Sequence, residues 1–552
     1  MATIKIVALG GQAENGKNLY VIEVDEQIFV IDAGLKYPEE TMLGIDKIVA
    51  NFDYLVENKK RVRGIFLTHA HEDHIGALPS LLALHPFPIY GTKLTLAIVD
   101  DLLRQEKVKY TGRKQTINSQ SLLKFGKNVT IRAFKTTHSI PDSVGIAVNT
   151  PDGAIVFTSD FVFDQSAGPR YATDLAALGA IGQQGVLALM QISRGVETPG
   201  YAANEQSFQK ELVDTFDSWE NRIVISAYAT DIRRIQEIID TAVEFGRKVF
   251  IAGVRAQRLI DISLKLGYLD MPTGTLVAAK DLTKYREQLV VIVAGNSGLP
   301  FNLLHRMSTR ADKMIQIEET DLVVLATPPI PGTEVVAAQA SDAIFKTGAK
   351  VISIDKKSLT TSVAAQEDLK MMINFMRPKY LYPTSGDYRH LVEHAELGTQ
   401  VGIPYERAII RDNGDFAVFK DSELVETNDY VLAEDVLIDG TVAGDVGSVV
   451  LRDREQLSQD GVVLVMVTVS KSKKKVVSGP EIVTRGFIYI KESQDLMDSM
   501  YELVNARLDE CISEHGIEWS LLKQTIREGL GKYLFKQTKR RPMIIPVIME
   551  VK

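Results

Sequence analysis

The chain has one cysteine, Cys511, two tryptophans and nine histidines in 552 residues. A single cysteine excludes an intramolecular disulfide and suits a reducing compartment, so a cytoplasmic protein is expected. No apolar run reaches the length needed to span a bilayer. The opening Met1-Ala2-Thr3-Ile4-Lys5-Ile6 lacks the long apolar core of a signal peptide, and no membrane partner is expected. A basic excess is also missing: 63 Lys and Arg against 71 Asp and Glu leave a net charge of −8. Any affinity for nucleic acid must therefore come from local patches rather than the global field. Low-complexity tracts and short-period repeats are absent. What remains is a large globular chain, 45% hydrophobic, with enough length for several domains and an ample core.

Histidine is scarce, yet three of the nine fall within His69-Ala70-His71-Glu72-Asp73-His74. The hexapeptide follows the apolar run Gly64-Ile65-Phe66-Leu67, which reads as a buried strand, and precedes a helix-like pattern at Ile75-Gly76-Ala77-Leu78. Ligands at such a strand-to-helix turn are rigidly held and still face an open edge. Imidazole with carboxylate suits zinc, and manganese where carboxylate dominates. Three more segments place a polar residue at or just after the end of a strand-like stretch: Asp32 after Ile28-Phe29-Val30-Ile31, His138 in Thr136-Thr137-His138-Ser139-Ile140-Pro141, and Asp160 after Ala154-Ile155-Val156-Phe157-Thr158-Ser159.

The spacing H-x-H-x-D-H, with Asp32, His138 and Asp160 in order around it, resembles the metallo-β-lactamase superfamily. The wording of Leu67-Thr68-His69 through Leu78-Pro79, of His138-Ser139-Ile140-Pro141-Asp142-Ser143 and of Ser159-Asp160-Phe161-Val162-Phe163-Asp164-Gln165 is similar to bacterial ribonuclease J over essentially the whole chain. The resemblance implies an α/β fold: a metallo-β-lactamase αββα sandwich, an inserted β-CASP α/β domain and a small C-terminal α+β domain. It also implies a 5′-to-3′ exonuclease and endonuclease of mRNA decay and rRNA maturation. His69, His71, His138 and Asp160 would hold one metal ion, and Asp73, His74 and Asp160 a second, with Asp73 and His74 catalytic. Zinc is the implied cofactor, with manganese or magnesium as alternatives, and RNA the implied partner.

Departures from the family pattern are as informative. Pro383-Thr384-Ser385-Gly386-Asp387-Tyr388 carries Ser385 where the family has the histidine that completes the second metal site. The phosphate-holding Ser-Gly-His motif becomes Thr361-Ser362-Val363, within a degenerate substrate segment Leu359, Thr360, Thr361, Ser362 and Val363. A Ser-Asp-Ser-Thr-Asn motif becomes Gln191-Ile192-Ser193-Arg194-Gly195, and a phosphate-contacting Ser-Asn-x-His becomes Thr230-Asp231-Ile232-Arg233. Arg233 and Arg234 read either as phosphate contacts or as a solvated helix face. This pattern resembles the catalytically degenerate second paralogue of Gram-positive bacteria. One ion should be firmly bound and the second weakened. Activity should be attenuated, the active paralogue should be the partner in a heteromer, and a homodimer should form when the chain is alone. The alternative is an essentially non-catalytic subunit that stabilises or regulates that paralogue.

Strand and helix patterns divide the chain into 1–205 and 353–420 for a split metallo-β-lactamase domain, 206–352 for the insert, 421–455 for a linker and 456–552 for a C-terminal association domain. In the insert, Arg222–Ser226, Lys248–Ala252 and Leu289–Val293 alternate with helical patterns, the rhythm of a parallel sheet. In the last domain, strands are expected at Val462–Val467, Phe487–Ile490 and Met543–Val551, with helices over Leu496–Ile512 and Leu521–Lys536. Lys471-Ser472-Lys473-Lys474-Lys475 reads as a solvated hairpin tip or as a contact for RNA or a partner.

Overall fold

Alternation at every second residue decides the central architecture. In the strand Thr3–Gly10, Ile4, Ile6 and Ala8 point one way and pack with Tyr20, Ile22, Phe29, Ile31 and Phe66 from neighbouring strands. Facing them are Ile131, Ala133, Ile146, Val148, Ile155, Phe157, Ala188, Met190 and Tyr382 from a second sheet. Two sheets that each bury one face in this way form a sandwich. The computed structural model describes residues 2–39, 41–202, 205–330, 332–354, 359, 363–440, 442–443, 447–488 and 494–551.

The first sheet has eight strands in the order Glu423–Val425, Ala417–Lys420, Thr3–Gly10, Leu19–Val24, Gln27–Ile31, Val62–Phe66, Ile89–Gly91 and Lys114–Thr116. The second has six: Tyr380–Thr384, Val186–Ile192, Gly153–Phe157, Val144–Thr150, Val129–Lys135 and Leu122–Phe125. Its outer face, through Phe134, Ala147, Val156, Leu189 and Leu381, is buried under residues of the helices Leu175–Gln184, Gln366–Met376 and Tyr388–Gln400. Tyr380–Thr384 joins Val186–Ile192 in parallel, so the later part of the chain completes a sheet begun by the earlier part.

Between them lies a five-stranded sheet, all parallel, in the order Lys248–Ala252, Leu289–Gly295, Ile223–Tyr228, Leu322–Leu325 and Lys350–Ser353. Its inner strand Leu289–Gly295 is buried at every position, as a sheet covered on both faces requires. The first turn of the helix Ile232–Glu244 docks on the ligand loops: the Arg233 backbone N–H donates to Ser139 O at 3.1 Å, and its guanidinium pairs with Asp164 at 2.6 Å. Arg233 and Arg234 are therefore not a solvated helix face. Both are buried, and Arg234 stacks 4.2 Å over the Phe208 ring.

Pro38–Lys47 and Leu437–Lys552 form a second compact unit. Within it Val462–Ser470 pairs antiparallel with Lys475–Arg485 and parallel with Met543–Glu550. The helices Gln494–His515 and Trp519–Thr538 bury one face of this sheet through Met500, Val504, Leu508, Leu522, Ile526, Leu530 and Leu534. The lysine run is the turn between the first two strands, exposed from Lys471 to Lys475. The second strand is Lys475–Arg485; Phe487 and Ile488 lie outside any strand, and residues 489–490 lie outside the described residues. The stretch 421–455 holds the edge strand Glu423–Val425, the strand Asp435–Asp439 and the start of the helix Ser448–Asp460. That helix has a mostly polar sequence, which concealed its period. No helix among the described residues is long and apolar enough to cross a membrane.

The loop after Gln27–Ile31 meets the ligand loop so closely that a Cβ on Gly34 would lie 1.6 Å from the Asp73 carbonyl oxygen. Gly34→Ala should force the two loops apart and cost about 1–3 kcal/mol, the usual range for overpacking. Thermal denaturation alongside metal binding tests this, and an unchanged melting point would contradict the close approach.

Candidate metal centre

Every candidate ligand follows the end of a strand in one of the two sandwich sheets. Asp32 follows Gln27–Ile31, the hexapeptide follows Val62–Phe66, His138 follows Val129–Lys135, and Asp160 follows Gly153–Phe157. Twin strand ends from both sheets thus converge on one rim. Local backbone strain accompanies them: Asp32, Ser159 and Ser385 have φ of +60°, +56° and +49°, left-handed values that non-glycine residues seldom adopt. Such conformations persist where surrounding structure enforces them.

His69, His71, His138 and Asp160 present ligand atoms within 4.8 Å of one another. The rings of His69, His71 and His138 form a triangle with each pair of centroids 4.7 Å apart. Nδ1 of His71 and Nε2 of His138 approach to 3.1 Å. The Nδ1 edge of His69 faces the hydroxyls of Thr68 at 3.1 Å and Ser159 at 3.2 Å, while its Nε2 is buried with no partner. A buried imidazole nitrogen without a partner is costly unless something accepts its lone pair. Burial, reinforced by the neighbouring imidazoles, lowers the pKa of His69, so it stays neutral and able to ligate. His138 is lowered by burial and His71. The donor set fits a divalent ion.

A second group, Asp73, His74 and Asp160, lies within the same 4.8 Å limit. Asp32 does not ligate but holds His74: its Oδ2 is 2.7 Å from His74 Nδ1 and accepts from the Thr68 hydroxyl at 2.8 Å, while Oδ1 accepts from the Thr68 backbone N–H. This is the outer-shell carboxylate that fixes the orientation of a ligating imidazole. Burial opposes charge on His74, but Asp73, Asp32 and Asp160 outweigh it and hold its pKa up at about 9. Asn18 donates to the Asp73 carbonyl oxygen at 3.0 Å and sits 3.2 Å from His74 Nε2.

Here the site departs from expectation. Arg194 reaches in from the end of Val186–Ile192, with Nη2 at 2.5 Å from Asp160 Oδ2 and Nη1 at 3.4 Å from Asp73 Oδ2. Although burial opposes the charge of Asp160, Arg194, His74 and His138 hold its pKa well below the usual carboxylate range. Sequence reasoning noted that Gln191-Ile192-Ser193-Arg194-Gly195 departs from the family motif but gave Arg194 no role. The available signal was a full positive charge arriving at a ligand-bearing rim. Ser385 lies on the same rim, buried, with its Oγ unpartnered. The other histidines nearby are engaged elsewhere: His390 Nδ1 accepts the Asp387 backbone N–H at 3.0 Å, and His394 lies 2.9 Å from Ser193 Oγ and 3.3 Å from Gln191 Oε1.

Of the substrate-segment candidates, Leu359 is buried and Val363 packs against the helical layer of the second sheet. Thr360, Thr361 and Ser362 lie outside the described residues. Arg233 is held by Asp164, as described above.

A two-sheet sandwich with metal donors at one rim and a parallel domain inserted in it defines a metallo-β-lactamase-fold hydrolase with a β-CASP insertion. Comparison with known families agrees. Residues 14–193 match the metallo-beta-lactamase superfamily, 220–344 the ribonuclease J beta-CASP domain, 355–407 the Zn-dependent metallo-hydrolase RNA specificity domain and 449–551 the ribonuclease J C-terminal domain. The chain is 42% identical to Ribonuclease J2 of Bacillus subtilis over 549 residues, covering 99% of both chains. It is 39% identical to proteins named Ribonuclease J 2 from Staphylococcus epidermidis and Staphylococcus aureus, covering 99% of this chain and 98% of each relative. A crystal structure of a protein of unknown function from Enterococcus faecalis superposes with a TM-score of 0.54 at 16% identity, covering 76% of this chain and 100% of that one, a likeness of fold. The chain belongs to the ribonuclease J family and resembles its second paralogue over its full length.

Burial pushes the pKa of His394 down to about 3 from an ordinary 6.5. Because the folded value lies below the unfolded one, the unfolded chain takes up the proton first. The contribution to stability is complete above about pH 6.5 and is lost as pH falls toward 3. His394→Gln should lower proton uptake on unfolding in this window by about one. Denaturant melts between pH 7 and 4 check this, and an unaltered pH slope would contradict it.

Proposed function

We propose that this protein is a metal-dependent ribonuclease of the ribonuclease J type, acting 5′-to-3′ and internally on RNA in mRNA decay and rRNA maturation. Its activity is attenuated, and it works in the cytoplasm beside an active paralogue. The observation that carries this reading is the convergent donor set His69, His71, His138 and Asp160, with His69 Nε2 buried and unpartnered. A divalent ion held there, zinc first and manganese or magnesium as alternatives, supplies Lewis acidity toward a phosphodiester.

The chain's own residues do the positioning. Asp32 and Thr68 fix the ring of His74, and Ser159 with Thr68 fixes that of His69. Asp73 and Asp160 place two carboxylates beside these rings, and His74 can hold a proton between them at neutral pH. Arg194 brings a fixed positive charge that attracts phosphate. A guanidinium cannot ionise water as a Lewis acid does, and this is the physical argument for attenuation. Losing one preorganised interaction with a developing charge costs on the order of 10²–10³ in rate. The same Arg194 contacts favour a second reading, an essentially non-catalytic subunit of a heteromer.

Turnover of 5′-monophosphorylated RNA by metal-stripped and metal-loaded protein separates the two readings. The attenuated enzyme should show slow, metal-dependent decay that His69→Ala removes. No decay above the level of His69→Ala would favour the non-catalytic subunit. A rate matching that of an active family member would contradict attenuation.

Association with the paralogue, or with a second copy when the chain is alone, is assigned to the C-terminal unit. The helices Gln494–His515 and Trp519–Thr538 cover one face of its sheet. On the other, Ile545, Val547 and Met549 are 40%, 36% and 50% exposed, in register with Leu464, Met466 and Thr468. An apolar strip of this kind on an otherwise folded unit marks an interaction surface. Replacing Ile545 and Val547 together by Lys should leave the chain folded and weaken association at least about tenfold, or 1.4 kcal/mol. Sedimentation of each form, alone and mixed with the paralogue, gives the answer; equal complex formation would place the interface elsewhere.

A further inference from the structure

Three observations concern Arg194 and the strand ends that surround Asp73 and Asp160. The first is the Arg194 guanidinium itself, whose Nη2 is 2.5 Å from Asp160 Oδ2, and whose Nη1 is 3.4 Å from Asp73 Oδ2 and 3.0 Å from Asn15 Oδ1. The second is Ser385, in the position where the family pattern has a histidine. Its left-handed backbone at φ +49° sets the direction of a buried side chain whose Oγ has no partner. The third is Gly195, next to Arg194, where a Cβ would meet the Ala364 carbonyl oxygen at 2.1 Å. The turn that delivers Arg194 is therefore packed directly against the chain beyond it.

We infer that the Arg194 guanidinium is a tethered cation standing in the place of the second metal ion, so that this centre holds one ion and is closed to another. The inference rests on the metallo-ribonuclease reading above. Three physical reasons support it. A zinc ion on these carboxylates needs an oxygen distance of about 2.0–2.2 Å. The space along Asp160 Oδ2 is already taken by Nη2. The planar fork of an arginine matches carboxylates and stays charged at any physiological pH, so the occupant cannot be titrated away. Two carboxylates at a largely buried rim need a counter-charge in either case. Arg194 meets that need with one covalently attached group, which neither exchanges nor responds to a chelator. Among the described residues no hydrogen bond or ion pair joins Arg194 to His69, His71 or His138, although its charge reaches His69 and His138, so those imidazole nitrogens stay available to the first position.

The loss of a histidine and the presence of Arg194 make different predictions. If only the missing imidazole weakened the second position, Ser385→His would restore it. If Arg194 occupies the position, Ser385→His alone changes nothing, and the arginine must go as well. The test loads full-length protein with Mn²⁺, removes loose metal by gel filtration, and reads stoichiometry by elemental analysis and coupling between ions by electron paramagnetic resonance. Wild type and Ser385→His should each hold one ion with an uncoupled signal. Ser385→His combined with Arg194→Ala should hold two ions that are spin-coupled. Arg194→Gln in place of Arg194→Ala gives the same comparison with less lost packing, and retention of the first ion reports that the centre is folded. Two ions in Ser385→His with Arg194 intact would overturn the inference, as would one ion in both double variants. A wild-type chain that binds no ion would instead defeat the metallo-hydrolase reading, so the two failures are distinguishable.

Discussion

Three carboxylates, Asp32, Asp73 and Asp160, and four imidazoles crowd one rim of this protein, most of them buried, and that concentration of charge and lone pairs constrains everything around it. Groups of this kind cannot be withdrawn from water without partners. Asp160 Oδ2 faces His138 Nε2 and His74 Nε2, each at 3.9 Å, and so stands between the two donor groups. The charge of Asp73 and Asp160 is balanced by an arginine from the neighbouring strand end, and the carboxylates around His74 raise its pKa. Around them a layer of hydrogen bonds from Asp32, Thr68, Ser159 and Asn18 fixes ring orientation.

The sandwich exists, in functional terms, to bring those groups together. Apolar alternation pairs the sheets, and pairing of the sheets aligns strand ends that are more than a hundred residues apart in sequence. Left-handed backbone at Asp32, Ser159 and Ser385 turns each chain sharply inward at the rim. Rigid strands hold that strain because their own burial is complete on both sides of the turn.

The inserted parallel domain is tied to the rim by the turn that carries Arg233. Its backbone holds Ser139, the neighbour of His138, and its side chain holds Asp164, close after Asp160. A residue that the family pattern places at phosphate here has a structural partner instead. The C-terminal unit has the opposite character. It contributes no metal donor among the described residues, and Ile545, Val547 and Met549 are partly exposed on its sheet.

The sequence by itself determined the metal motif, the order of ligand-bearing strands, the parallel rhythm of the insert and the two C-terminal helices. Each of these is a local signal: donors within six residues, apolar period two, apolar period near 3.6. Ser385 stood out only against the family pattern that the ligand motifs resemble. The helix Ser448–Asp460 was hidden because its mostly polar sequence carries little periodic signal, and the strand Lys475–Arg485 because its first half is largely exposed and Ser478-Gly479-Pro480 reads as a turn. Only the tertiary structure decided what fills the gap beside Asp73 and Asp160. Arg194 lies 34 residues from Asp160 and 121 from Asp73 in sequence. No spacing rule relates a cation on one strand end to carboxylates on others; their meeting follows from the parallel pairing of Val186–Ile192 beside Gly153–Phe157. The same reason made Arg233 legible as a charge and illegible as a buried tie, because burial is a property of what packs against a residue.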